Sequence, residues 1–231
     1  KDSPLIIGAG RGENFIASDV PAILKHTRDV YRLGERELAI LTKDGVTVIN
    51  SYGERVNCVY EHIDWDASAA EKCGYPHFMI KEIMEQPEAI AKTIAPRISN
   101  GRIELGFKHI TAEMLKKVNS IKIIGCGSAY HVGFVAGYFM RAALRIPVES
   151  VLASEFRYDD PIVDENTLAI VISQSGETLD TLYGLREAKK HGAKTIAIVN
   201  VVGSTIANES EDVLYTWAGP EIAVATTKAY S

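Results

Sequence analysis

A short loop rich in hydroxyl groups holds the residues of this sequence that are best suited to chemistry. It reads Ser173-Gln174-Ser175-Gly176-Glu177-Thr178, so three hydroxyls and one amide fall within six positions. Gly176 would let backbone N–H groups approach a ligand closely. Neutral donors placed before a helix, whose first N–H groups carry partial positive charge, suit an anion such as a phosphate monoester. We call residues 173–178 the hydroxyl loop and predict that it binds phosphate.

A purely structural role for the hydroxyl loop is the alternative. Ser175, with Thr178 or Glu177, could cap the start of the following helix. One cap needs one such residue, whereas this loop has four donor side chains in six positions. The composition therefore favours a binding loop over a cap.

The segments on either side of the hydroxyl loop predict where it lies in the fold. Residues 169–172 are apolar at every position, which is typical of a strand buried on both faces of a parallel sheet. After Thr178, apolar residues recur at helical spacing, at Leu179, Leu182, Tyr183, Leu185 and Ala188. The loop therefore joins the carboxyl end of a strand to a helix, where open α/β sheets bind their ligands.

Strands and helices alternate in the same way from about residue 80 onward. The other predicted strands are residues 121–124, 148–152, 195–199 and 213–216. The predicted helices are residues 79–94 with an interruption at Pro87, 112–118, 132–143, a short turn at 153–158 and a short helix capped by Ser204. This alternation predicts an α/β domain with a three-layer, doubly wound parallel sheet.

Residues 1–63 have a different pattern. Strands are predicted at residues 5–7, 30–33, 38–41 and 46–49, with Asp44-Gly45 as a two-residue hairpin signal, and a short helix is predicted at 21–24 behind a Ser18-Asp19 cap. The glycines of residues 8–12 do not complete a dinucleotide-binding motif, because Glu13 stands where its last glycine is needed. We expect an antiparallel structure here, followed by an interdomain linker at residues 64–79.

Composition and charge exclude several classes of function. The 231 residues are 46% apolar and 24% charged, enough for one large or two modest domains. The net charge of −5, without a cluster of Lys and Arg, argues against nucleic-acid binding. No apolar stretch has membrane-spanning length, and Cys58, Cys73 and Cys126 lack paired or metal-binding spacing. We therefore expect a cytoplasmic protein without nucleic-acid or membrane partners.

The two glycine- and serine-containing loops carry a resemblance to a known family. Gly125-Cys126-Gly127-Ser128, which we call the glycine loop, and the hydroxyl loop resemble those of the sugar isomerase (SIS) domain. The Gly-Glu-Asn-Phe-Ile-Ala-Ser-Asp core at 12–19, the Lys-Glu-Ile-Met-Glu-Gln-Pro core at 81–87 and residues 221–230 also resemble one SIS-containing family, the isomerising glutamine–fructose-6-phosphate aminotransferases. The five motifs occur in order and cover nearly the whole chain.

The resemblance implies part of a two-part enzyme. In that family a glutaminase releases ammonia from glutamine, and two SIS domains convert fructose 6-phosphate to glucosamine 6-phosphate without a metal or organic cofactor. It implies that residues 1–63 are the C-terminal part of the α+β glutaminase domain, that 64–79 are a linker and that 80–231 are the first SIS domain. We expect the missing glutaminase and second SIS parts, and a homodimer, in the parent enzyme, and no catalysis by this fragment alone.

The resemblance also implies specific ligand contacts. Phosphate contacts fall on Ser173, Gln174, Ser175 and Thr178, and contacts of the first loop fall on Ser128 and Ala129, with Gly127 as support. Where the family usually has serine, Ala129 keeps a backbone N–H but lacks a hydroxyl, and one lost neutral hydrogen bond costs about 1 kcal/mol. Val224 is implied near the sugar. Lys228 could neutralise a phosphate, but its position favours a role in leading into a further domain.

Other functions remain open for the same loops. A SIS domain can serve as a sugar-phosphate sensor in a transcription regulator, but a basic helix-turn-helix would then be expected where residues 1–63 predict a hairpin. A relative that cleaves sugar–amine adducts would lack the glutaminase-like segment. The chain could also act only as a dimerising scaffold.

Overall fold

The computed structural model describes residues 5–18, 20, 22–63 and 72–231. It divides into two compact units, residues 1–74 and 75–231. The boundary between the units falls within the predicted linker, of which residues 64–71 lie outside the described residues. Asp19 of the predicted cap and Pro21 of the predicted short helix also lie outside them.

The first unit is antiparallel, as predicted. Its strands are β1 (Ile6–Ala9), β2 (Asn14–Ala17), β3 (Asp29–Arg32), β4 (Leu38–Thr42), β5 (Gly45–Ile49) and β6 (Glu61–His62). One sheet has the order β2-β1-β3-β6, and β4 and β5 pair as a separate hairpin. Buried side chains of Ile6, Val30 and Ile63 form the core together with Val20, Ile23 and Leu24.

Two local features of the first unit differ from the sequence prediction. Thr42 pairs directly with Gly45, so the hairpin turn is Lys43-Asp44 and Gly45 is already in the strand. In place of the short helix at 21–24, residues 22–26 form turns. The Thr27 hydroxyl donates to the carbonyl of Ala9, and β3 begins two residues later.

The second unit is built on a parallel sheet of five strands, which confirms the predicted α/β class. The strands are β9 (Ser120–Gly125), β10 (Val148–Leu152), β11 (Thr167–Ser173), β12 (Lys194–Val199) and β13 (Asp212–Tyr215), in the order β10-β9-β11-β12-β13. All their pairings are parallel. A small hairpin of β7 (Ile98–Ser99) and β8 (Arg102–Ile103) was not predicted.

Helices connect the strands of the second unit. They are α1 (Phe78–Met84), α2 (Gln86–Ile94), α3 (Ala112–Lys117), α4 (Ser128–Leu144), α5 (Ala153–Phe156), α6 (Leu179–Lys190) and α7 (Thr205–Glu209). The predicted interruption near Pro87 lies at Glu85, between α1 and α2. Pro87 is tolerated in the first turn of α2, because the N–H groups of a first turn have no acceptor within the helix.

Both faces of the parallel sheet are covered by helices. Ile123 and Ile172 pack on the face where Ala129 of α4 lies. Alternate residues of the same strands face the other way, where Val171 packs with Leu182 and Leu185 of α6. This two-sided burial explains why β11 is apolar at nearly every position. Among the described residues, no helix is long and apolar enough to span a membrane.

Candidate functional site

The two predicted binding loops lie side by side at the carboxyl edge of the sheet. The hydroxyl loop begins at the last residue of β11, and the glycine loop begins at the last residue of β9, which pairs with β11. A Cβ on Gly125 would lie 3.2 Å from the carbonyl oxygen of Ile172, so the two strand ends approach closely. The Thr181 hydroxyl of α6 also donates to Cys126 Sγ at 3.8 Å. The structure therefore places the two predicted loops next to each other.

Hydroxyl groups order the hydroxyl loop from within. Ser173 is 2% exposed, and its Oγ accepts the Gly176 N–H at 3.0 Å. Ser173 Oγ also lies 3.0 Å from Thr178 Oγ1. Ser175 Oγ accepts the Glu177 N–H at 3.1 Å. These local bonds hold the loop in one conformation, with the side chains of Ser175 and Thr178 half-buried.

The alternative role as a helix cap is not supported by this geometry. Thr178 stands at the cap position of α6 with extended backbone (φ −63°, ψ 114°), but in the described chain its side chain makes no capping hydrogen bond. The Ser175 hydroxyl is engaged within the loop. The start of α6 therefore keeps the N–H groups and partial positive charge that favour an anion.

Glu177 fastens the hydroxyl loop to the next helix. Its Oε1 accepts the N–H of Thr205, the first residue of α7, at 2.9 Å. The neighbouring carbonyl of Gly176 accepts the Ile206 N–H at 3.0 Å. From the sequence alone, Glu177 is predicted at most to help cap α6. The partners lie 28 residues apart in the chain, so no local pattern reveals the contact.

Gly176 is required by this close approach of the hydroxyl loop and α7. Its φ is +68°, in the left-handed region that glycine adopts without strain. A Cβ at this position would lie only 1.9 Å from Ser204 Oγ. A side chain here would push the loop away from α7.

The backbone of Gln174 lies against two other parts of the second unit. Its carbonyl accepts the N–H of Asn200, at the end of β12, at 3.0 Å. Tyr230 also lies next to the Gln174 backbone. Burial, followed by the negative charge of Glu221, raises the pKa of Tyr230 well above its usual value, although the nearby Gln174 backbone lowers it in part. Tyr230 therefore stays a neutral hydroxyl beside the loop at ordinary pH.

The glycine loop supplies a second helix start. Gly127 has φ +55° and precedes Ser128, the first residue of α4. The Ala129 N–H donates to the Cys126 carbonyl at 3.1 Å, and its methyl group is buried in the core. The side chain of Ser128 is half-buried and the backbone of Gly127 is exposed. The ligand contact of Ala129 stays a prediction, and its backbone N–H is already used within the loop.

The remaining predicted contact, Val224, belongs to the irregular segment that follows β13. Val224 is fully exposed, and its proximity to a sugar stays a prediction. Lys228 in the same segment is buried, and its Nζ lies 2.6 Å from Glu85 Oε2. Burial raises the pKa of Glu85, but the hydrogen bonds and charges of Lys228 and Lys81 outweigh burial and lower it below its usual value. Lys228 therefore forms an ion pair with Glu85, a contact that the sequence alone does not predict.

The charge and donor types of the site suit an anion held by neutral groups. Within the part of the chain that the structure describes, no group of three His, Cys, Asp or Glu residues is placed to hold a metal ion. The donors at the two strand ends are hydroxyls, an amide and backbone N–H groups at the starts of α4 and α6. Such an arrangement can bind a phosphate group and orient it.

Comparison with a known family agrees with this geometry. The family model of the SIS domain matches residues 114–231, which include both loops and the whole parallel sheet. The chain belongs to the SIS domain family. The resemblance inferred from the two loops is confirmed.

Similarity to known proteins also includes the first unit of this chain, because two relatives match the chain over its whole length. A glutamine–fructose-6-phosphate aminotransferase (isomerizing) of Clostridium tetani is 57% identical over 231 residues, which cover 100% of this chain and 38% of the relative. The protein of the same name from Clostridium acetobutylicum is 56% identical over 232 residues, again with 38% of the relative covered. The whole chain therefore spans about two fifths of the length of the curated relatives it matches.

A solved structure supports the same family at the level of the fold. The C-terminal domain of glucosamine-fructose-6-phosphate aminotransferase from Francisella tularensis has a TM-score of 0.65 and 42% sequence identity. The match covers 69% of this chain and 45% of the Francisella chain.

Proposed function

We propose that this chain is the part of an isomerising glutamine–fructose-6-phosphate aminotransferase that binds the phosphate group of the sugar. The whole enzyme would form glucosamine 6-phosphate and glutamate from fructose 6-phosphate and glutamine. The observation that carries the proposal is the preorganised hydroxyl loop in front of the uncapped start of α6, in a SIS domain. The name shared by relatives that match the chain from end to end supports the choice of enzyme.

The proposed phosphate contacts come from neutral donors. Ser175, Thr178, Gln174 and Ser128 would donate to phosphate oxygens, together with backbone N–H groups at the starts of α6 and α4. Each neutral hydrogen bond contributes about 1 kcal/mol net. A helix start adds roughly 0.3–1 kcal/mol for an anion. Ser173 is too buried to be an open donor, and in this proposal it positions Thr178.

The proposed domain organisation follows the same family. Residues 1–63 would be the C-terminal part of the glutaminase domain, 64–79 the linker and 80–231 the first SIS domain. The boundary between the two compact units at residues 74 and 75 is consistent with this division. The parent enzyme would contain the rest of the glutaminase, a second SIS domain and a second copy, and would act in the cytoplasm. This chain by itself would bind the sugar phosphate without converting it.

A sugar-phosphate sensor is not favoured as the alternative function. A sensor would need a DNA-binding helix-turn-helix before the SIS domain. The described residues of the first unit instead form an antiparallel sheet and a hairpin.

The proposal predicts saturable binding that depends on the phosphate group. We would titrate the ¹⁵N-labelled chain with glucosamine 6-phosphate and with unphosphorylated glucosamine, and follow amide shifts by NMR. Replacing both Ser175→Ala and Thr178→Ala should weaken binding of the phosphorylated sugar about tenfold or more, since two donors of about 1 kcal/mol each are lost. The unphosphorylated sugar should not bind.

A matched control removes two hydroxyls elsewhere. Thr47 and Ser51 lie on and just after β5 in the first unit, and the Thr47→Ala, Ser51→Ala double variant should bind as the unchanged chain does. A folded chain that shows no phosphate-dependent binding would refute the proposed function and leave the fold assignment intact.

A further inference from the structure

The hydroxyl loop is bonded to the connection that runs from the end of β12 into α7, residues 200–206. Three N–H groups of this connection donate to the loop: Asn200 to the Gln174 carbonyl at 3.0 Å, Ile206 to the Gly176 carbonyl at 3.0 Å and Thr205 to Glu177 Oε1 at 2.9 Å. The first two bonds join backbone atoms, whereas the third uses the side chain of Glu177. A substitution at Glu177 can therefore break one point of this attachment selectively.

The connection is firmly fixed in the second unit. Ile206 is completely buried and packs in one cluster with Val171 of β11 and Leu182 of α6. At the other end of α7, Glu209 accepts hydrogen bonds from Arg186 of α6, at 2.9 Å from Nε and 2.6 Å from Nη2. Because β11 and α6 flank the hydroxyl loop, a bond from the loop to α7 fixes the loop relative to both elements.

Glu177 lies between the two hydroxyls that the proposed function uses as phosphate donors. Its own N–H donates to Ser175 Oγ at 3.1 Å, and Thr178 follows it directly in the chain. A rotation of the backbone at Glu177 would therefore move both hydroxyls. A loop that is held in its binding conformation before the ligand arrives avoids the entropic cost of being ordered on binding.

The carboxylate of Glu177 is an unexpected group in a loop that we propose binds an anion. Like charges repel, so a negative charge near a phosphate weakens its binding. The bond to Thr205 holds this carboxylate at the start of α7. A hydrogen bond to an ionised acceptor is stronger than one to a neutral acceptor. The strength of the attachment to α7 thus explains a charge that ligand binding alone would disfavour.

We propose that Glu177 is a positioning residue for the phosphate site. Through its bond to the Thr205 N–H it holds the loop backbone so that the hydroxyls of Ser175 and Thr178 point to one phosphate group. Glu177 does not itself touch the ligand. This role rests on the proposed function, and it adds the connection of residues 200–206 to the parts of the fold that the site requires.

Two substitutions at Glu177 separate the reach of the side chain from its charge. Glu177→Asp keeps the charge, but its side chain is one methylene shorter and should lose the bond to Thr205. Glu177→Gln keeps the length and an acceptor oxygen without the charge. Binding of glucosamine 6-phosphate to the whole chain, measured by NMR titration, should weaken about tenfold in Glu177→Asp and less than about threefold in Glu177→Gln. Hydrogen exchange at the Thr205 amide should become faster in Glu177→Asp and not in Glu177→Gln.

Thr205→Pro removes the other partner of the same bond. Proline is tolerated at the first residue of a helix, and Ser204 before it already has the extended backbone that a following proline favours (φ −64°, ψ 159°). This variant should also bind glucosamine 6-phosphate about tenfold more weakly. In its background Glu177→Asp should add less than about twofold, because both changes break one bond.

A matched control removes a side-chain acceptor from a helix start elsewhere in the second unit. Thr111 Oγ1 accepts the Met114 N–H at 3.2 Å and caps α3. Helix α3 leads into the amino end of β9, whereas both loops lie at the carboxyl ends of their strands. Thr111→Ala should lower the midpoint of urea unfolding, as the loss of a helix cap does, and leave the dissociation constant unchanged.

Three results would overturn this role of Glu177. The first is a folded Glu177→Asp chain that binds like the unchanged chain, which would leave the proposed function standing. The second is an equal loss of binding in Glu177→Asp and Glu177→Gln, and the third is an equal loss in the Thr111→Ala control. If Glu177→Asp does not fold, Thr205→Pro decides, since a loss of about tenfold supports the role and unchanged binding refutes it. An unchanged chain that does not bind glucosamine 6-phosphate would remove the proposed function itself.

Discussion

At the residue scale, Gly176 meets two separate requirements of the hydroxyl loop. Its positive φ turns the chain between Ser175 and Glu177, and its missing side chain lets the loop pack against Ser204. Gly203 shares the first requirement only, because its φ is +73° but a Cβ there would meet no atom within 4 Å. Substitutions at the two glycines therefore allow the cost of backbone strain to be distinguished from the cost of steric overlap.

This pair leads to a prediction for alanine substitutions. Gly203→Ala should lower the free energy of unfolding by about 1–2 kcal/mol through the left-handed conformation alone. Gly176→Ala should add an overpacking cost of about 1–3 kcal/mol and should also abolish phosphate-dependent binding. Urea unfolding and NMR titration measure the two effects. Equal destabilisation by the two substitutions, with binding retained, would show that the approach of Ser204 does not constrain the loop.

The sequence alone predicts a strand-to-helix loop of hydroxyl residues, but not the contacts that each of them makes in the fold. Local spacing identified Ser173, Ser175 and Thr178, because hydroxyls in a strand-to-helix turn are a local signal. The burial of Ser173 inside the loop and the bond of Glu177 to α7 depend on the folded chain. The bonds of Glu82 to residues 140 and 141 positions away have no sequence signal at all.

At the element scale, edge strand β13 anchors the chain that precedes α3. Asp212 is 6% exposed, and its carboxylate accepts N–H groups from Lys108 at 2.8 Å, His109 at 2.9 Å and Ile110 at 2.7 Å. Burial raises the pKa of Asp212, but the three backbone donors outweigh burial and lower it below its usual value. The folded state therefore favours the ionised carboxylate.

Stability should depend on this carboxylate in acid. Because the folded pKa lies below the unfolded value of about 3.9, the stabilisation is complete above that pH and is lost as the pH falls through the folded pKa. Asp212→Asn should lower the free energy of unfolding at pH 7 by about 2 kcal/mol, since its amide cannot accept the bonds to Oδ2. Below pH 4 the difference from the unchanged chain should shrink.

Urea unfolding between pH 2 and pH 7 measures this dependence. Asp159→Asn in an exposed loop serves as the control and should leave the stability at pH 7 unchanged. A constant difference between Asp212→Asn and the unchanged chain over the whole range would argue against the role of ionisation.

Elements with a continuous apolar or helical pattern were predicted within a few residues. Strand β10 and helix α3 are examples, because their hydrophobic spacing and flanking residues are local properties. Strand β2 was missed because its four residues, Asn14–Ala17, follow a glycine run and become a strand only by pairing with β1. The hairpin of β7 and β8 has two residues per strand, which is too short for any periodicity.

At the scale of the whole molecule, the proposed site lies entirely in one of the two units. The glycine loop, the hydroxyl loop and Val224 are all in residues 75–231. The hydrophobic clusters of the parallel sheet and its helices also draw only on this unit. The core of the first unit is a separate cluster. A unit of this size with its own core has what a domain needs to fold alone.

The separation of the cores predicts that residues 75–231 are sufficient for ligand binding. Expressed alone, they should unfold cooperatively and bind glucosamine 6-phosphate within about twofold of the affinity of the whole chain, because every proposed contact is retained. Calorimetric titration and thermal unfolding of the two proteins side by side give the comparison. The Ser175→Ala, Thr178→Ala double variant of the shorter protein should lose this binding, as in the whole chain. If the shorter protein folds but binds about tenfold more weakly, residues 1–74 contribute to the site, and the assignment of binding to the second unit alone is wrong.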